Sequence, residues 1–387
     1  MFQLAELKHD FETLYGTTPR VYRAPGRVNL IGEHTDYNDG FVMPVAIGLS
    51  TWVAIAPRSD RKLAVRSANY PDAAEVDLDD IRPGTSHHWS DYVRGVAAIL
   101  EKQGYHSRGA NLLIGSEVPI GAGLSSSAAV EVATGYALLE ISQTPIDRTQ
   151  LALACQCAEH EFAGTRCGIM DQFIACHGRT DHALMLDARS LTFEALPLPP
   201  RVNVVICNTM VRHDNAAGEY NARRAECETG VRLLATKKPS IKALRDASLT
   251  DLERSKAELS EKVYRRCRHV ISENERVQAA ARALSQGHLA EFGRLMNESH
   301  RSLREDYGVS CEELDLMVEF ASQLEGVYGA RMTGGGFGGC TVNLVRAENS
   351  TEFQKRIAKR YGKVIGLKPE IYVCKAAQGA EECVLSK

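Results

Sequence analysis

The sequence predicts a mixed α/β protein folded as two lobes. Its 387 residues are many for a single hydrophobic core, since cores stop growing at about 250–300 residues. Segments with strand-like and helix-like hydrophobic periodicity alternate along the chain. The run Pro197-Leu198-Pro199-Pro200 is the best boundary, because proline fixes φ and excludes helix. We therefore expect an amino-terminal lobe over residues 1–196 and a carboxyl-terminal lobe over residues 201–387.

The amino-terminal half is predicted to combine strands with flanking helices. An amphipathic helix covers Met1–Tyr15, a strand covers Arg20–Arg23, and a polar loop follows. The next predicted elements are antiparallel strands at Leu49–Ala56, Lys62–Ser67 and Glu75–Leu78, a helix at Trp89–Leu100, a strand at Asn111–Ile114, a helix at Ala128–Leu139, a helix from Thr149 that breaks at Gly164, a helix start at Cys167–Phe173, and strands at Ala183–Leu186 and Leu191–Leu196.

The carboxyl-terminal half is predicted to be rich in helices. A buried strand opens it, and helical periodicity dominates residues 221–325. Two capping boxes are expected there, Thr250 with Glu253 and Ser310 with Glu313. The remaining predicted elements are strands at Val202–Cys207, Cys340–Val345 and Glu370–Cys374 and a helix at Glu352–Tyr361.

Composition and charge exclude several classes of protein. Hydrophobic residues make up 44% and charged residues 25%, which is ordinary for a globular chain. The net charge of −3 gives no electrostatic reason to expect nucleic acid or an anionic membrane as partner. We expect neither a membrane span nor a signal peptide. Eleven cysteines without a CxxC pair predict reduced thiols and a cytoplasmic location.

A glycine-rich turn with three serines, Pro119–Ala129, joins a predicted strand to a predicted helix. Gly121 and Gly123 can take positive φ and let the backbone approach a ligand. The serines fall where the helix begins, and there free N–H groups and the helix dipole favour an anion. An ordinary serine N-cap after a glycine turn would give the same pattern. No GxxxxGK[ST] sequence occurs, so this is not a Walker A loop.

Residues 24–40 hold an unusual density of ionisable side chains among glycines. They are Arg27, Glu33, His34, Asp36 and Asp39. Carboxylates accept hydrogen bonds from hydroxyls, and imidazole can donate or accept. That set suits a polyol such as a sugar, and a solvated turn is the alternative.

Three motifs together resemble one enzyme family. Gly26–Tyr37, GRVNLIGEHTDY, closely resembles the signature of galactokinases, members of the GHMP small-molecule kinase superfamily. Pro119–Ala129 is similar to the superfamily's phosphate-binding motif, and Met332–Gly339, MTGGGFGG, to its third, carboxyl-terminal glycine motif. The motifs lie in family order and span nearly the whole chain. The resemblance implies the α+β, two-lobed GHMP kinase fold with the active site in the cleft between the lobes.

The same resemblance implies an activity. It is the ATP-dependent phosphorylation of D-galactose at the C1 hydroxyl, which gives α-D-galactose 1-phosphate and ADP and is the first kinase step of the Leloir pathway. ATP and Mg²⁺ are the implied cofactors, galactose and ATP the partners, and a monomer is expected. A kinase for N-acetylgalactosamine or another sugar shares these motifs. A non-catalytic sugar-and-ATP sensor is the alternative from another class, and it would not need Arg27, Ser127, Glu159 and Asp171 together.

The resemblance also implies roles for individual residues. They are Arg27 and Asp171 in catalysis; Glu33, His34, Asp36, Gly168 and Tyr220 at the sugar; Gly121, Gly123, Leu124, Ser125, Ser126 and Ser127 at the phosphates, with Trp89 near adenine; and Ser127 and Glu159 at Mg²⁺. One carboxylate and one hydroxyl suffice for Mg²⁺, which keeps most ligands as water and phosphate oxygen. An arginine beside Asp171 favours the ionised, less basic carboxylate, so we expect this residue mainly to orient the sugar hydroxyl. Without the family resemblance, Glu159 would be interpreted as a solvated acid on a helix face and Asp171 as an acid in the first turn of a helix. Tyr220 would be interpreted as a surface tyrosine and Trp89 as a half-buried aromatic.

Overall fold

The chain forms three β-sheets flanked by helices in a computed structural model that describes residues 4–83, 88–211 and 216–383. Met1–Gln3 of the predicted first helix lie outside the described residues. The strands are β1 (Arg20–Asn29), β2 (Phe41–Val42), β3 (Pro44–Pro57), β4 (Lys62–Ser67), β5 (Ala74–Asp77), β6 (Ala110–Ser116), β7 (His182–Asp187), β8 (Thr192–Pro197), β9 (Val202–Asn208), β10 (Val327–Thr333), β11 (Cys340–Arg346), β12 (Glu370–Cys374) and β13 (Glu381–Glu382).

The helices alternate with the strands in the first half and dominate the second, as the periodicity predicts. They are α1 (Leu4–Tyr15), α2 (Asp91–Lys102), α3 (Ser126–Ile141), α4 (Arg148–Ala158), α5 (Met170–His177), α6 (Ala216–Lys237), α7 (Leu249–Arg254), α8 (Glu261–Ser285), α9 (Leu289–Ser302), α10 (Glu312–Ser322) and α11 (Ser350–Ile365). Short π-helical turns follow α4, at Glu159–Ala163, and α9, at Leu303–Tyr307. The helix predicted from Thr149 ends where expected, because Gly164 adopts a left-handed φ of +75°.

The sheets differ in size and pairing. The largest has the order β13-β1-β3-β6-β4-β5, the second β10-β11-β9-β12 and the smallest β2-β7-β8. The pairing of β4 with β6 is parallel, and the other pairings are antiparallel. The antiparallel arrangement predicted for Lys62–Ser67 and Glu75–Leu78 is confirmed, because β4 and β5 pair in that way. The strand β3 pairs with β1 and β6 and has no ladder with β4 among the residues described. The strand β13 lies beside β1, so the described end of the chain returns to the first sheet.

The largest core fills the space between the six-stranded sheet and helices α2 to α5. Val96 of α2, Leu112 of β6, Leu138 of α3 and Phe173 of α5 belong to it and are fully buried. Burial of each such side chain stabilises the fold by roughly 1.5–3 kcal/mol. This core fixes the starts of α3 and α5 relative to the sheet.

A second core joins residues from the two predicted lobes. Val28 of β1 and Leu124 pack with Val204 of β9, Phe292 of α9 and Val342 of β11. Because both sides of the Pro197–Pro200 run contribute, this core sets the spacing of the walls of the cleft. The division at residues 196 and 201 stays a prediction.

The predicted end of the first strand, at Arg23, is wrong. The strand β1 does not stop at Arg23 but continues through Asn29, with an irregular register between Pro25 and Arg27. Such an irregularity accommodates a proline, which has no N–H to offer the ladder. Arg27 therefore stands on a strand rather than in a loop, which restricts its backbone more than a loop would.

Neither predicted capping box forms. In place of Thr250 and Glu253, the residues Ser248 and Asp251 form a capping box at the start of α7. The side chain of each accepts a hydrogen bond from the backbone N–H of the other. The second is absent because Cys311 is the N-cap of α10 and the Ser310 hydroxyl donates to Asp315. A capping box needs two residues three positions apart, and neighbouring serines and acids here offer more than one such pair.

No helix within residues 4–83, 88–211 and 216–383 is both long and apolar enough to cross a bilayer. The eleven cysteines are free thiols in the structure.

Candidate active site

A cavity of about 860 Å³ lies where β1, the glycine–serine turn before α3 and the first turn of α5 meet. Segments more than a hundred residues apart in the sequence form its walls. The predicted site residues that line it are Arg27, Glu33, His34, Asp36, Trp89, Gly121, Gly123, Ser125, Ser126, Ser127, Glu159, Gly168, Asp171 and Tyr220. The structure therefore brings the sugar-type and phosphate-type motifs to one place.

Leu124 is the predicted site residue that does not line this cavity. Its side chain is fully buried in the core shared by the two predicted lobes. Its carbonyl accepts a hydrogen bond of 3.0 Å from the Arg27 backbone N–H. Its side chain therefore anchors the turn, and only its backbone N–H remains a candidate for phosphate.

Arg27 and Asp171 form a bidentate ion pair at the centre of the cavity. The guanidinium Nε donates to Oδ1 over 2.8 Å, and Nη2 donates to Oδ2 over 2.9 Å. The third nitrogen, Nη1, donates to the Gly123 carbonyl over 2.6 Å. Paired bonds of this kind fix orientation as well as charge. The pair meets across 144 positions of sequence, as predicted.

Ser125 ties the glycine–serine turn to the same carboxylate. Its hydroxyl donates to Asp171 Oδ2 instead of capping α3. Its backbone is left-handed, with φ of +60°, between Gly123 at +74° and the helix start at Ser126. A left-handed serine is strained, and such strain concentrates at functional sites. The positive φ predicted for Gly121 and Gly123 is confirmed.

The two glycine-rich segments touch at their backbones. A Cβ on Gly334 would lie 2.7 Å from the Gly123 carbonyl oxygen, and one on Gly339 would lie 2.7 Å from that of Ala122. Both glycines also have positive φ, at +85° and +82°. Any larger residue would separate the loops, so the third glycine motif positions the turn before α3.

Glu33 lies at the base of the cavity, buried and already hydrogen-bonded. Its Oε1 accepts the Gly334 N–H over 2.6 Å, and its Oε2 accepts from Asn29 and from Arg331 Nη1, the latter over 3.3 Å. Burial raises the pKa of this carboxyl, while the Arg331 charge opposes the rise most strongly. The carboxylate thus links β1 to the third glycine motif.

His34 uses both ring nitrogens within the protein. Nε2 lies 3.2 Å from the Gly335 carbonyl, which can only accept, so this nitrogen carries the proton. Nδ1 therefore accepts from the Tyr37 hydroxyl over 2.8 Å. Burial lowers the pKa of His34 to about 3, so the ring is neutral. The Tyr220 ring packs against it, with centroids 5.3 Å apart.

Asp36 and Gly168 fit each other closely. A Cβ on Gly168 would lie 1.9 Å from Asp36 Oδ2. The carboxylate is itself held by the N–H groups of Tyr37, at 3.0 Å, and Met170, at 3.3 Å. Burial and then the charge of Asp171 raise the pKa of Asp36 to about 6. A buried carboxyl, that of Asp36, and a partly exposed one, that of Asp171, thus both line the cavity.

A further acidic group, Glu159, lines the cavity together with the serines of the glycine–serine turn. Glu159, on the π-helical turn after α4, is buried, and its carboxylate accepts a hydrogen bond over 2.6 Å from Gln172 Nε2. Burial, and then the charge of Asp171, raise the pKa of Glu159 to about 7. No cluster of three or more potential ligands among histidine, cysteine, aspartate and glutamate occurs in the described ranges. A divalent cation here would take its further ligands from water or from phosphate oxygens.

Two stacked aromatic rings also line the cavity. Tyr70 and Trp89 stack with their planes 1° apart and their centroids 5.7 Å apart, and both line the cavity. The Trp89 Nε1–H is buried and has no acceptor among the residues the structure describes. A flat heterocycle with a ring nitrogen would satisfy both features.

Several residues of the site were not predicted. Tyr70 lines the cavity, Gln172 bonds both Glu159 and Glu131, and Arg331 bonds Glu33. A lone glutamine or arginine on a helix or strand carries no periodic or compositional signal. Only the position of Gln172 directly after Asp171 could have pointed to it.

Comparison with known proteins matches this sequence to one family. The galactokinase galactose-binding signature matches residues 9–57, the GHMP kinase N-terminal domain residues 91–179 and the GHMP kinase C-terminal domain residues 280–363. A galactokinase of Roseiflexus sp. (strain RS-1) is 49% identical over 380 residues, covering 98% of this chain and 97% of its own. A galactokinase of Chloroflexus aggregans is 49% identical over 385 residues, covering 99% and 98%.

Comparison with solved structures shows the same fold. The crystal structure of Lactococcus lactis galactokinase complexed with galactose superposes with a TM-score of 0.95 at 35% identity, covering 98% of this chain and all of that one. Methanococcus jannaschii mevalonate kinase shares the fold, with a TM-score of 0.66 at 18% identity over 93% of this chain and 99% of its own. The family signatures, the extent of the identity and the shared fold together show that this chain belongs to the galactokinase family of GHMP kinases.

Proposed function

We propose that this chain transfers the γ-phosphoryl group of ATP to the C1 hydroxyl of D-galactose, giving α-D-galactose 1-phosphate and ADP. The observation that carries the proposal is the Arg27–Asp171 pair, held between the glycine–serine turn and the acidic sugar-type motif in one cavity. Phosphoryl transfer depends on positioning and charge stabilisation more than on covalent chemistry. A bidentate pair with a buried guanidinium, at the junction of two subsites, supplies both.

The sugar occupies the end lined by Glu33, His34, Asp36, Gly168 and Tyr220. Carboxylates that are held rigidly accept hydroxyl hydrogens in fixed directions. Gly168 leaves the space in which Asp36 stands. The His34 ring, whose nitrogens already have partners, contributes its face and holds Tyr37 and Gly335 in place.

The triphosphate occupies the turn before α3. The first N–H groups of a helix are free to bind an anion, and the dipole favours negative charge there. Gly121, Gly123, Ser126 and Ser127 line this end. The adenine lies toward Trp89, whose unpaired indole N–H supports that placement within the described part of the chain.

Ser127 and Glu159 fit a magnesium ion. Both side chains line the cavity beside the turn before α3, and Ser127 favours the ionised form of the Glu159 carboxyl, which lowers its pKa. When bound, Mg²⁺ neutralises charge on the phosphate oxygens. Because a pKa of about 7 leaves Glu159 partly protonated at neutral pH, cation binding would release a proton.

Asp171 orients the C1 hydroxyl and receives its proton as the bond to phosphorus forms. The carboxylate already accepts two hydrogen bonds from Arg27 and one from Ser125, which fixes its position beside the hydroxyl. Arg27 offsets charge on the transferring group. The hydrogen bond from Ser125 to Asp171 links the glycine–serine turn to the carboxylate. Binding of phosphate at the turn is therefore coupled to the orientation of the C1 hydroxyl by Asp171.

The experiment is product formation from galactose and MgATP, followed by ³¹P NMR. The expected product is α-D-galactose 1-phosphate, formed faster from galactose than from other sugars in a panel that includes N-acetylgalactosamine. A preference for another sugar would contradict the substrate, and nucleotide binding without product would contradict the reaction. The monomeric state and the cytoplasmic location stay predictions.

A further inference from the structure

Arg331 is the largest fully buried side chain in the described part of the structure. It lies near the end of β10, two residues before the third glycine motif turns at Thr333 and Gly334. Its Nη1 donates to the Asn29 carbonyl over 2.9 Å and to Glu33 Oε2 over 3.3 Å. Arg331 does not line the cavity, whereas Glu33 does.

Packing alone does not account for an arginine at position 331. Its Nε and Nη2 are buried without a hydrogen-bond partner among the residues described. A buried guanidinium is costly to desolvate, and an apolar side chain of similar volume often stabilises a fold as well or better. The position therefore points to a need for positive charge at Glu33.

Glu33 is the cavity group that Arg331 affects most directly. Three donors fix the carboxylate, and they are Gly334 N–H, Asn29 Nδ2 and Arg331 Nη1. Burial raises the pKa of Glu33, and Arg331 is the strongest of the opposing influences, ahead of Arg27. An ionised carboxylate only accepts hydrogen bonds, whereas a protonated one also donates.

We propose that Arg331 is a specificity-determining positioning residue, which holds Glu33 as an oriented carboxylate for one hydroxyl of the sugar. The inference rests on the proposed function. A site with a fixed acceptor rejects an analogue that lacks the matching hydroxyl, because the buried acceptor is left unpaired. Without Arg331 the carboxylate loses its strongest compensating charge and one of its fixed donors, and that rejection weakens.

A purely structural role predicts a different result. If Arg331 served only to pack β10 against β1, its loss would lower kcat/KM for every sugar by a common factor. If it acts through Glu33, its loss changes the ratio of kcat/KM between galactose and one particular deoxy analogue. The ratio therefore separates the two roles even when total activity falls.

The test measures kcat/KM for galactose and for its monodeoxy analogues that retain the C1 hydroxyl. Arg331→Met is expected to lower discrimination against one analogue by about tenfold or more, and Glu33→Gln is expected to affect the same analogue. Arg266→Met is the control, because Arg266 is also buried and hydrogen-bonded, to Glu226 and the Asp306 carbonyl, but lies outside the cavity wall. It should leave every ratio unchanged.

The double variant Glu33→Gln/Arg331→Met keeps the test decisive if Arg331→Met does not fold. It carries no uncompensated charge at this pair, and its discrimination should equal that of Glu33→Gln alone, since the two residues act as one unit. Unchanged ratios in Arg331→Met, or a further loss of discrimination in the double variant, would overturn the inference. Absence of galactose 1-phosphate from the unaltered protein would instead overturn the proposed function.

Discussion

Replacing Asp171 by asparagine should remove most of the turnover while leaving the fold in place. The carboxylate accepts two hydrogen bonds from Arg27 and one from Ser125. An asparagine keeps the shape but has one acceptor oxygen, and its amide N–H groups would face donors on one side. It can no longer orient the C1 hydroxyl or receive its proton.

The size of the effect follows from what is lost. Loss of a positioned proton acceptor lowers kcat by about 10²-fold or more, which corresponds to roughly 2.7 kcal/mol of transition-state stabilisation at 1.36 kcal/mol per tenfold. Stability also falls, because Arg27 is buried and loses its charged partner. Breaking a buried pair costs about 3–5 kcal/mol, and the 23% exposure of the Asp171 side chain places the loss at the lower end.

The chain offers a matched control in Asp187. This residue forms a bidentate pair with Arg245, its side chain is 19% exposed, and neither residue lines the cavity. Asp187→Asn should therefore lose similar stability, measured by urea unfolding, with kcat within about threefold of the unaltered protein. A coupled ADP-release assay measures kcat for both variants. Near-normal turnover in Asp171→Asn, or an equal loss in Asp187→Asn, would refute the role given to Asp171.

Three further predictions concern buried groups around the cavity. Gly168→Ala should raise KM for galactose by about tenfold or more, since the new methyl would overlap Asp36, and an unchanged KM in steady-state kinetics would contradict the fit. Because the pKa of Asp36 is raised to about 6, kcat/KM for galactose should fall as pH decreases through about 6, and Asp36→Asn should lose that inflection in the pH profile. Burial holds the pKa of Glu131 well above its ordinary value, so the folded state retains a proton that the unfolded chain releases, and stability falls as pH rises above the unfolded value. The substitution Glu131→Gln keeps an acceptor for Gln172. As pH rises, the free energy of unfolding of this variant should increase relative to that of the unaltered protein, by at most about 1.4 kcal/mol per pH unit. A difference that does not change with pH in denaturant unfolding would contradict this.

The sequence predicts the parts of the site that follow from local backbone rules. Glycines at positive φ before a serine-rich helix start are visible as a pattern, and Gly121, Gly123 and Ser126 behave accordingly. The break of the fourth helix at Gly164 follows from the same rule. These features depend on a few neighbouring residues, so they can be predicted from the sequence alone.

Other features depend on contacts between distant segments. Pro25 and Gly26 suggest a loop, yet β1 runs through them because its partner β3 accepts an irregular register. The left-handed Ser125 is fixed by its bond to Asp171, and Arg331 by its bond to Glu33. Tertiary hydrogen bonds of this kind override local propensity, and no spacing rule reveals them.

The most direct test of the central claim is a crystal structure with galactose, Mg²⁺ and a nonhydrolysable ATP analogue bound together. We expect the C1 hydroxyl to lie within hydrogen-bond reach of Asp171, about 2.6–3.2 Å, with the terminal phosphate at the turn that ends in Ser125–Ser127. Galactose bound with its C1 hydroxyl turned away from the Arg27–Asp171 pair, or the nucleotide bound outside this cavity, would contradict it.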